Sequence, residues 1–368
     1  MKKSDTGALR PVIDNARLSR IAAANNLVRR TLAQHGLTPY TVSGQGPSMY
    51  AAMPSLSALA GLQAGFGGRA KTNGAKSGGA MPDGGEFRQE QFDCEAGSRS
   101  FRTYVPSSAA GDVTGIVLML HGCTQTAEDF ATGTDMNSLA ERHGFVVIYP
   151  QQSRGSNAQS CWNWFSRGDQ RRDQGEPAIL AGLTRQTMAE HGVSSNQVFA
   201  AGLSAGAAMA VILGETYPDL FSAVGVHSGL PFGAARDMHS AFAAMAGRNR
   251  ADVAPAGNHS PLRTIVFHGS TDSTVHPANG EQIAQDSVAR CAEPTIETAE
   301  QGSAGGRSFD RRITTTANGL AKLEHWIVDG LGHAWSGGRP EGTYTDPRGP
   351  DASHEMIRFF FDTPEQVI

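Results

Sequence analysis

The sequence predicts an α/β fold built on a mostly parallel, doubly wound sheet. Three observations carry that expectation. Short stretches that read as strands recur along the chain: Ile116 to Leu120, Phe145 to Tyr149, Val198 to Ala201, Ala223 to His227, Thr264 to Phe267 and Leu323 to Val328. Ile116 to Leu120 and Phe145 to Tyr149 are continuously apolar, as strands buried on both faces are. Segments of helical character fall between several of the stretches, so strand and helix alternate as parallel crossovers require. The third observation is Gly202-Leu203-Ser204-Ala205-Gly206, placed where an apolar run gives way to a helix of small residues, Ala207 to Tyr217.

The 368 residues, 39% hydrophobic and 18% charged, suffice for one large α/β domain plus an appendage. A net charge of −4 argues against a general affinity for nucleic acid. The average hides an asymmetry, because residues 1–82 carry a net +8 and the remainder −12. Asp14 or Asn15 can cap a helix running to about His35, with Leu18, Ile21, Val28 and Leu32 mostly on one side and Gly36 as its stop. Such a basic amphipathic helix either packs on protein or adsorbs to an anionic or hydrophobic surface. From Thr41 to Gly85 the chain is rich in Gly, Ala, Ser, Met and Pro, the composition of a flexible linker. The expected division is therefore 1–85, a basic helix with a linker, and 86–368, the α/β domain.

No apolar stretch of about 18 residues is present, so no membrane span is expected. Met1-Lys2-Lys3 is followed by polar residues and not by the apolar core of a secretory leader, which points to a cytoplasmic address. Cys94, Cys123, Cys161 and Cys291 lie far apart with no C-x-x-C spacing, so neither a zinc site nor a thioredoxin-like site is indicated.

The second part of the chain reads in order as follows. Glu86 to Cys94 and Arg99 to Val105 flank a turn and predict a β-hairpin. Ile116 to Leu120 ends in His121-Gly122-Cys123-Thr124-Gln125, followed by one helix from about Ala127 to Arg142. After the strand at Phe145 to Tyr149 comes a long polar loop, Gln151 to Asp173, holding Cys161-Trp162-Asn163-Trp164-Phe165. A helix at Glu176 to His191 precedes the strand that enters the Gly202 to Gly206 turn. The last strand expected is Leu323 to Val328, and a final helix near Ser353 to Phe361 has Asp351 as its cap.

Strand, sharp G-x-S-x-G turn, then helix is the nucleophile elbow of an α/β-hydrolase. Small residues on either side let the turn tighten until the Ser204 hydroxyl stands above the sheet, at the positive end of a helix. Such a fold then requires an acid and a histidine, in that order, on loops after later strands. Asp272 follows the strand ending at Phe267, and His333 follows the one ending at Val328. His333 would take the Ser204 proton as general base, with Asp272 fixing its tautomer. Asp329 is the rival acid, but its place at the strand's end marks it as a turn residue. The substrate oxyanion would meet the backbone N–H of Ala205 and that of Cys123, where Gly122 lets the chain approach closely. A disulfide from Cys123 to Cys161 would brace the two loops. His121, His227 and His268 each close a strand at one sheet edge and read as hydrogen-bonded supports, without the spacing of metal ligands. The chemistry calls for no cofactor. Trp335 and Trp162, in loops at the same side, are candidates for substrate contact.

Together, His121-Gly-Cys-Thr-Gln125, Cys161-Trp-Asn-Trp-Phe165, Gly202-Leu-Ser-Ala-Gly206, His227-Ser-Gly229, His268-Gly-Ser-Thr-Asp272 and Gly332-His-Ala-Trp-Ser-Gly-Gly338 resemble the poly(3-hydroxybutyrate) depolymerase family of serine esterases over roughly residues 86–361. The resemblance implies hydrolysis of polyhydroxyalkanoate or its oligomers by Ser204, Asp272 and His333, with Cys123 and Ala205 as oxyanion donors. The pattern is most similar to the intracellular branch, which acts on storage granules, and residues 1–82 are the candidate for granule attachment. It is also similar to feruloyl and acetylxylan esterases, which makes a carboxylesterase acting on small esters the alternative.

Overall fold

The structure, a computed structural model, describes residues 82, 84–110, 113–248 and 262–362. The expected helix at 14–35 and the linker up to Gly85 lie outside the described residues except at the linker's last positions. All described residues belong to the unit Ser77–Ile368.

A ten-stranded sheet organises this unit, in the order β1-β2-β4-β3-β5-β6-β7-β10-β9-β8. Its parallel centre is made of β3 (Ile116–Leu120), β4 (Val146–Pro150), β5 (Val198–Leu203), β6 (Ala223–His227), β7 (Arg263–Gly269) and β10 (Ala321–Val328). The hairpin of β1 (Glu86–Cys94) and β2 (Gly97–Val105) adds antiparallel strands at one edge, as the sequence predicts. A second hairpin, β8 (Thr295–Ala304) and β9 (Arg307–Thr316), extends the other edge and is absent from the sequence reading.

Side-chain alternation on the central strands feeds two cores. Ile116, Leu118 and Leu120 face α3 (Gly175–His191), α4 (Ala205–Thr216) and α5 (Met238–Met245). Val117 and Met119 face α1 (Ala127–Thr134), α2 (Met136–His143) and α7 (Ala352–Phe361), where Phe199 stacks on Phe360 at 4.8 Å. Helix α6 (Ala278–Ala289) packs its Ile283 and Ala284 with Val226 and Val266. Helices thus cover both faces, the doubly wound arrangement of an α/β-hydrolase. The single helix expected over 127–142 is two, broken at Asp135, whose φ of 52° is left-handed. Its carboxylate accepts hydrogen bonds from Ser138 and, far along the chain, from Arg339. Asp351 caps α7 through His354 N–H, as its position predicts.

Strand register aligns the chemistry. Leu120 pairs with Gly202, Leu203 with His227, His227 with Phe267, and Gly269 with Val328. The residues that follow these strand ends share the carboxyl edge of the sheet, where open α/β sheets place their sites.

Candidate active site

Ser204 sits between β5 and α4 with φ 57° and ψ −119°, a conformation that costs a non-glycine residue on the order of 1–3 kcal/mol. Two backbone bonds hold it there: Ser204 N–H donates to His227 O at 2.9 Å, and Ala208 N–H donates to Ser204 O at 2.9 Å. The flanking glycines are demanded by contact. A Cβ on Gly202 would stand 2.5 Å from the Gly206 carbonyl carbon and 2.7 Å from Leu120 O. One on Gly206 would stand 2.6 Å from His121 O and closer still to Leu120 O. An alanine at either position would push the elbow away from the loop after β3.

Asp272 lies in the turn after β7 and is almost fully buried. Its Oδ1 accepts the N–H groups of Thr274 and Val275, each at 2.9 Å, and its Oδ2 accepts from His333 Nδ1 at 2.8 Å. Burial pushes this carboxyl up, but the His333 hydrogen bond and charge and the Val275 amide outweigh it and hold the group down at about 2. Bonding at Nδ1 leaves Nε2 of His333 as the nitrogen free for proton transfer. Asp329 does not reach this imidazole; its carboxylate accepts from Ser270 Oγ at 3.1 Å and its N–H donates to Ser308 O, a turn role.

The loop after β3 is shaped by its own side chains. His121 Nδ1 donates to Gly122 O at 2.7 Å while its Nε2 accepts from Gln152 N–H at 3.0 Å. Gln125 folds back so that Oε1 accepts from Gly122 N–H at 2.9 Å, and its amide donates to Asp129 and to Thr343 O. Cys123 is tied by a disulfide to Cys161. Among the described residues, neither Cys123 N–H nor Ala205 N–H donates to a protein acceptor, so both amides are available to an oxyanion.

The Cys161 loop is in turn anchored from below. Arg99 and Glu176 form a buried pair at 3.7 Å, Gln152 bridges them, and Glu176 accepts from both the backbone N–H and the side-chain amide of Asn163 at 2.8 Å. Burial pushes Glu176 up and Arg99 down, so full pairing is what makes these charges tolerable. This polar anchor is missing from the sequence reading, since no local spacing connects Arg99, Gln152 and Glu176.

The two tryptophans require correction. Trp162 is 0% exposed and donates to His121 O at 3.0 Å; Trp335 is 1% exposed, donates to Ser353 Oγ at 3.0 Å and packs on Phe130 and His227. Both face inward, with their N–H groups satisfied by residues far along the chain, and neither offers a surface to substrate. His227 accepts from Ser336 N–H at 3.0 Å, and His268 donates to Val275 O at 2.8 Å, so these histidines support the loops after the strands. Among the described residues, no group of three or more His, Cys, Asp or Glu is arranged to hold a metal ion. No helix among them is long and apolar enough to cross a membrane.

Burial lowers His121 to about 4, His227 to about 3 and His325 to about 4, so each is neutral in the fold at pH 6. An unfolded histidine binds its proton near pH 6.5. Between these values the unfolded chain holds more protons, so stability is fully present above about pH 6.5 and falls as pH drops toward about 4. The melting temperature is expected to be flat from pH 9 to 7 and to decline steadily from about pH 6.5 to 4. A constant value down to pH 4 would contradict the neutral burial of these three side chains.

Against this geometry, residues 99–304 match the family model described as Esterase PHB depolymerase, more than half of the chain. The chain belongs to this family. It is 33% identical to poly(3-hydroxyalkanoate) depolymerase C of Paucimonas lemoignei, over 70% of this chain and 61% of that protein, so it spans less than two thirds of that relative. It is 28% identical to a probable acetylxylan esterase A of Aspergillus clavatus, over 58% of this chain and 73% of that one. Among solved structures, acetyl xylan esterase from Aspergillus awamori aligns over 75% of this chain and 99% of its own, with a TM-score of 0.55 at 22% identity. That likeness shows the α/β-hydrolase fold.

Proposed function

We propose that this protein is a serine esterase that hydrolyses polyhydroxyalkanoate, poly(3-hydroxybutyrate) or its oligomers, through an acyl-enzyme on Ser204. The observation that carries the chemistry is the 2.8 Å bond from His333 to the buried Asp272, on the sheet edge where Ser204 stands in its strained elbow. Nε2 of His333 takes the Ser204 proton as the hydroxyl attacks the ester carbonyl, and Asp272 stabilises the imidazolium. The amides of Cys123 and Ala205 receive the oxyanion, and the α4 N-terminus adds its dipole. His333 then returns the proton to the leaving alcohol, and water, activated by the same imidazole, releases the acid.

The polymer as substrate draws its support from family membership and from the depolymerase relative. The acetylxylan esterase relatives favour a second reading, a carboxylesterase acting on small esters. One experiment separates them: purified protein and Ser204→Ala are incubated with amorphous polyhydroxybutyrate granules. Release of 3-hydroxybutyrate or its oligomers by the native protein alone is expected. Intact granules alongside cleavage of p-nitrophenyl butyrate would decide for the small-ester reading. In the same assay we propose that residues 1–82, with their net charge of +8, hold the enzyme on the granule. Their removal is expected to lower granule binding and spare the soluble ester; equal binding would remove that role.

A further inference from the structure

Large side chains that stand out of the described surface include Met238, Phe242, Ile296 and Tyr344. Tyr344 lies against the site. Its ring centroid is 6.5 Å from that of His333, edge to face at 79°, and its hydroxyl is 3.2 Å from Thr124 Oγ1, one residue beyond the Cys123 amide. The side chain is 40% exposed yet its backbone is held. Tyr344 O accepts from Trp335 N–H at 2.7 Å, and the preceding Thr343 is clasped by Asp129 and Gln125. Its φ of 52° is left-handed, a setting that glycine or asparagine adopts cheaply and an aromatic residue does not. An exposed, fixed and strained tyrosine beside a general base is the pattern of a residue retained for contact with a ligand.

The direction of the reaction says which part of the ligand. With the carbonyl oxygen at the Cys123 and Ala205 amides, the leaving oxygen must face His333, which protonates it. Tyr344, spanning Thr124 and His333, flanks the path of that leaving group. We propose that Tyr344 forms the wall of the subsite for the alcohol half of the ester, and that its hydroxyl donates a hydrogen bond to a carbonyl oxygen carried on that half. The phenol can accept from Thr124 while donating to substrate. An ester of a 3-hydroxyacid carries such a carbonyl two carbons from the leaving oxygen; a simple alkyl ester does not. The inference rests on the esterase reading above and adds to it the residue that selects the alcohol.

The test uses two esters with the same acyl group, ethyl butyrate and the butyrate ester of methyl 3-hydroxybutyrate, with the full-length protein and its Tyr344→Phe and Tyr344→Ala variants. With release of ethanol and of methyl 3-hydroxybutyrate respectively, both reactions pass through the same butyryl enzyme, so deacylation is common and any difference arises in acylation. Tyr344→Phe is expected to lower kcat/KM for the hydroxyacid ester about three- to tenfold relative to kcat/KM for ethyl butyrate, the worth of one hydrogen bond. Tyr344→Ala, which also removes the wall, is expected to lower it further. An unchanged ratio of the two kcat/KM values in Tyr344→Phe overturns the proposal and leaves the esterase reading standing. Failure of the native protein to cleave either ester overturns both.

Discussion

Asp272→Asn is expected to lower kcat for a soluble ester by about 10³- to 10⁴-fold and to leave KM and the fold nearly unchanged. The size of the effect follows from which atoms the carboxylate serves. An asparagine Oδ1 still accepts from Thr274 and Val275 N–H, so the turn after β7 keeps its shape. Its amide nitrogen, however, now faces His333 Nδ1 with a donor where the native protein has an acceptor. The imidazole must answer with its lone pair at Nδ1, which puts the proton on Nε2 and leaves no base to receive the Ser204 hydroxyl proton. Steady-state kinetics with a thermal melt check the result. Asp329→Asn is the control: its carboxylate bonds Ser270, and its kcat is expected to stay near native. Equal losses in the two variants would refute the choice of Asp272 as the acid.

Opening the Cys123–Cys161 disulfide is expected to produce the second large loss. The bond closes a loop with a sequence separation of 38, and in the chain-entropy account its removal costs about 4 kcal/mol of stability. Its catalytic weight comes from position. Cys123 supplies one proposed oxyanion donor through its backbone, and losing such a donor outright costs roughly 10²- to 10³-fold in kcat. Loosening the amide while Gln125 still holds Gly122 costs less, about 10- to 100-fold on the same scale. Cys161→Ser tests this without altering residue 123: activity falls, the melting temperature drops, and added reductant has no further effect. Native activity in reductant, or in Cys161→Ser, would show that the Gln125 bonds alone position the loop.

Parallel strands such as β3 and β4 are legible because burial on both faces leaves an unbroken apolar run in the sequence. The β8–β9 hairpin is not, since Thr295–Ala304 is largely exposed at the sheet's edge and reads as a mixture of charge, Gly and Ala. The break at Asp135 has no local mark in the sequence, because its partner Arg339 lies 204 residues away. At the site, the order of residues and the strand ends alone lead to the pair Asp272 and His333, which the structure joins by a hydrogen bond. The tryptophans misled because an aromatic residue in a loop has no sequence mark for inward or outward. Trp162 is turned in by the carbonyl of His121 and by the Arg99–Glu176 pair beneath it, Trp335 by Ser353. Tyr344 went unnoticed for the same reason in reverse: it stands in a loop of turn-forming residues, and only the fold brings Thr124 and His333 to it.

The loop carrying Tyr344 is clasped to helix α1. Arg339 N–H donates to Gly133 O at 2.8 Å, Thr343 N–H to Asp129 at 2.9 Å, and a Cβ on Gly342 would collide with Gly133. Helix α1 begins where the Cys123 loop ends, so the Tyr344 loop is built as one piece with the proposed oxyanion donor. A ligand entering such a mouth finds its contacts already in place and forfeits little of its binding energy to ordering the protein. Affinity is then governed by what the ligand itself must surrender, and for the proposed polyester substrate that is the freedom of its own chain.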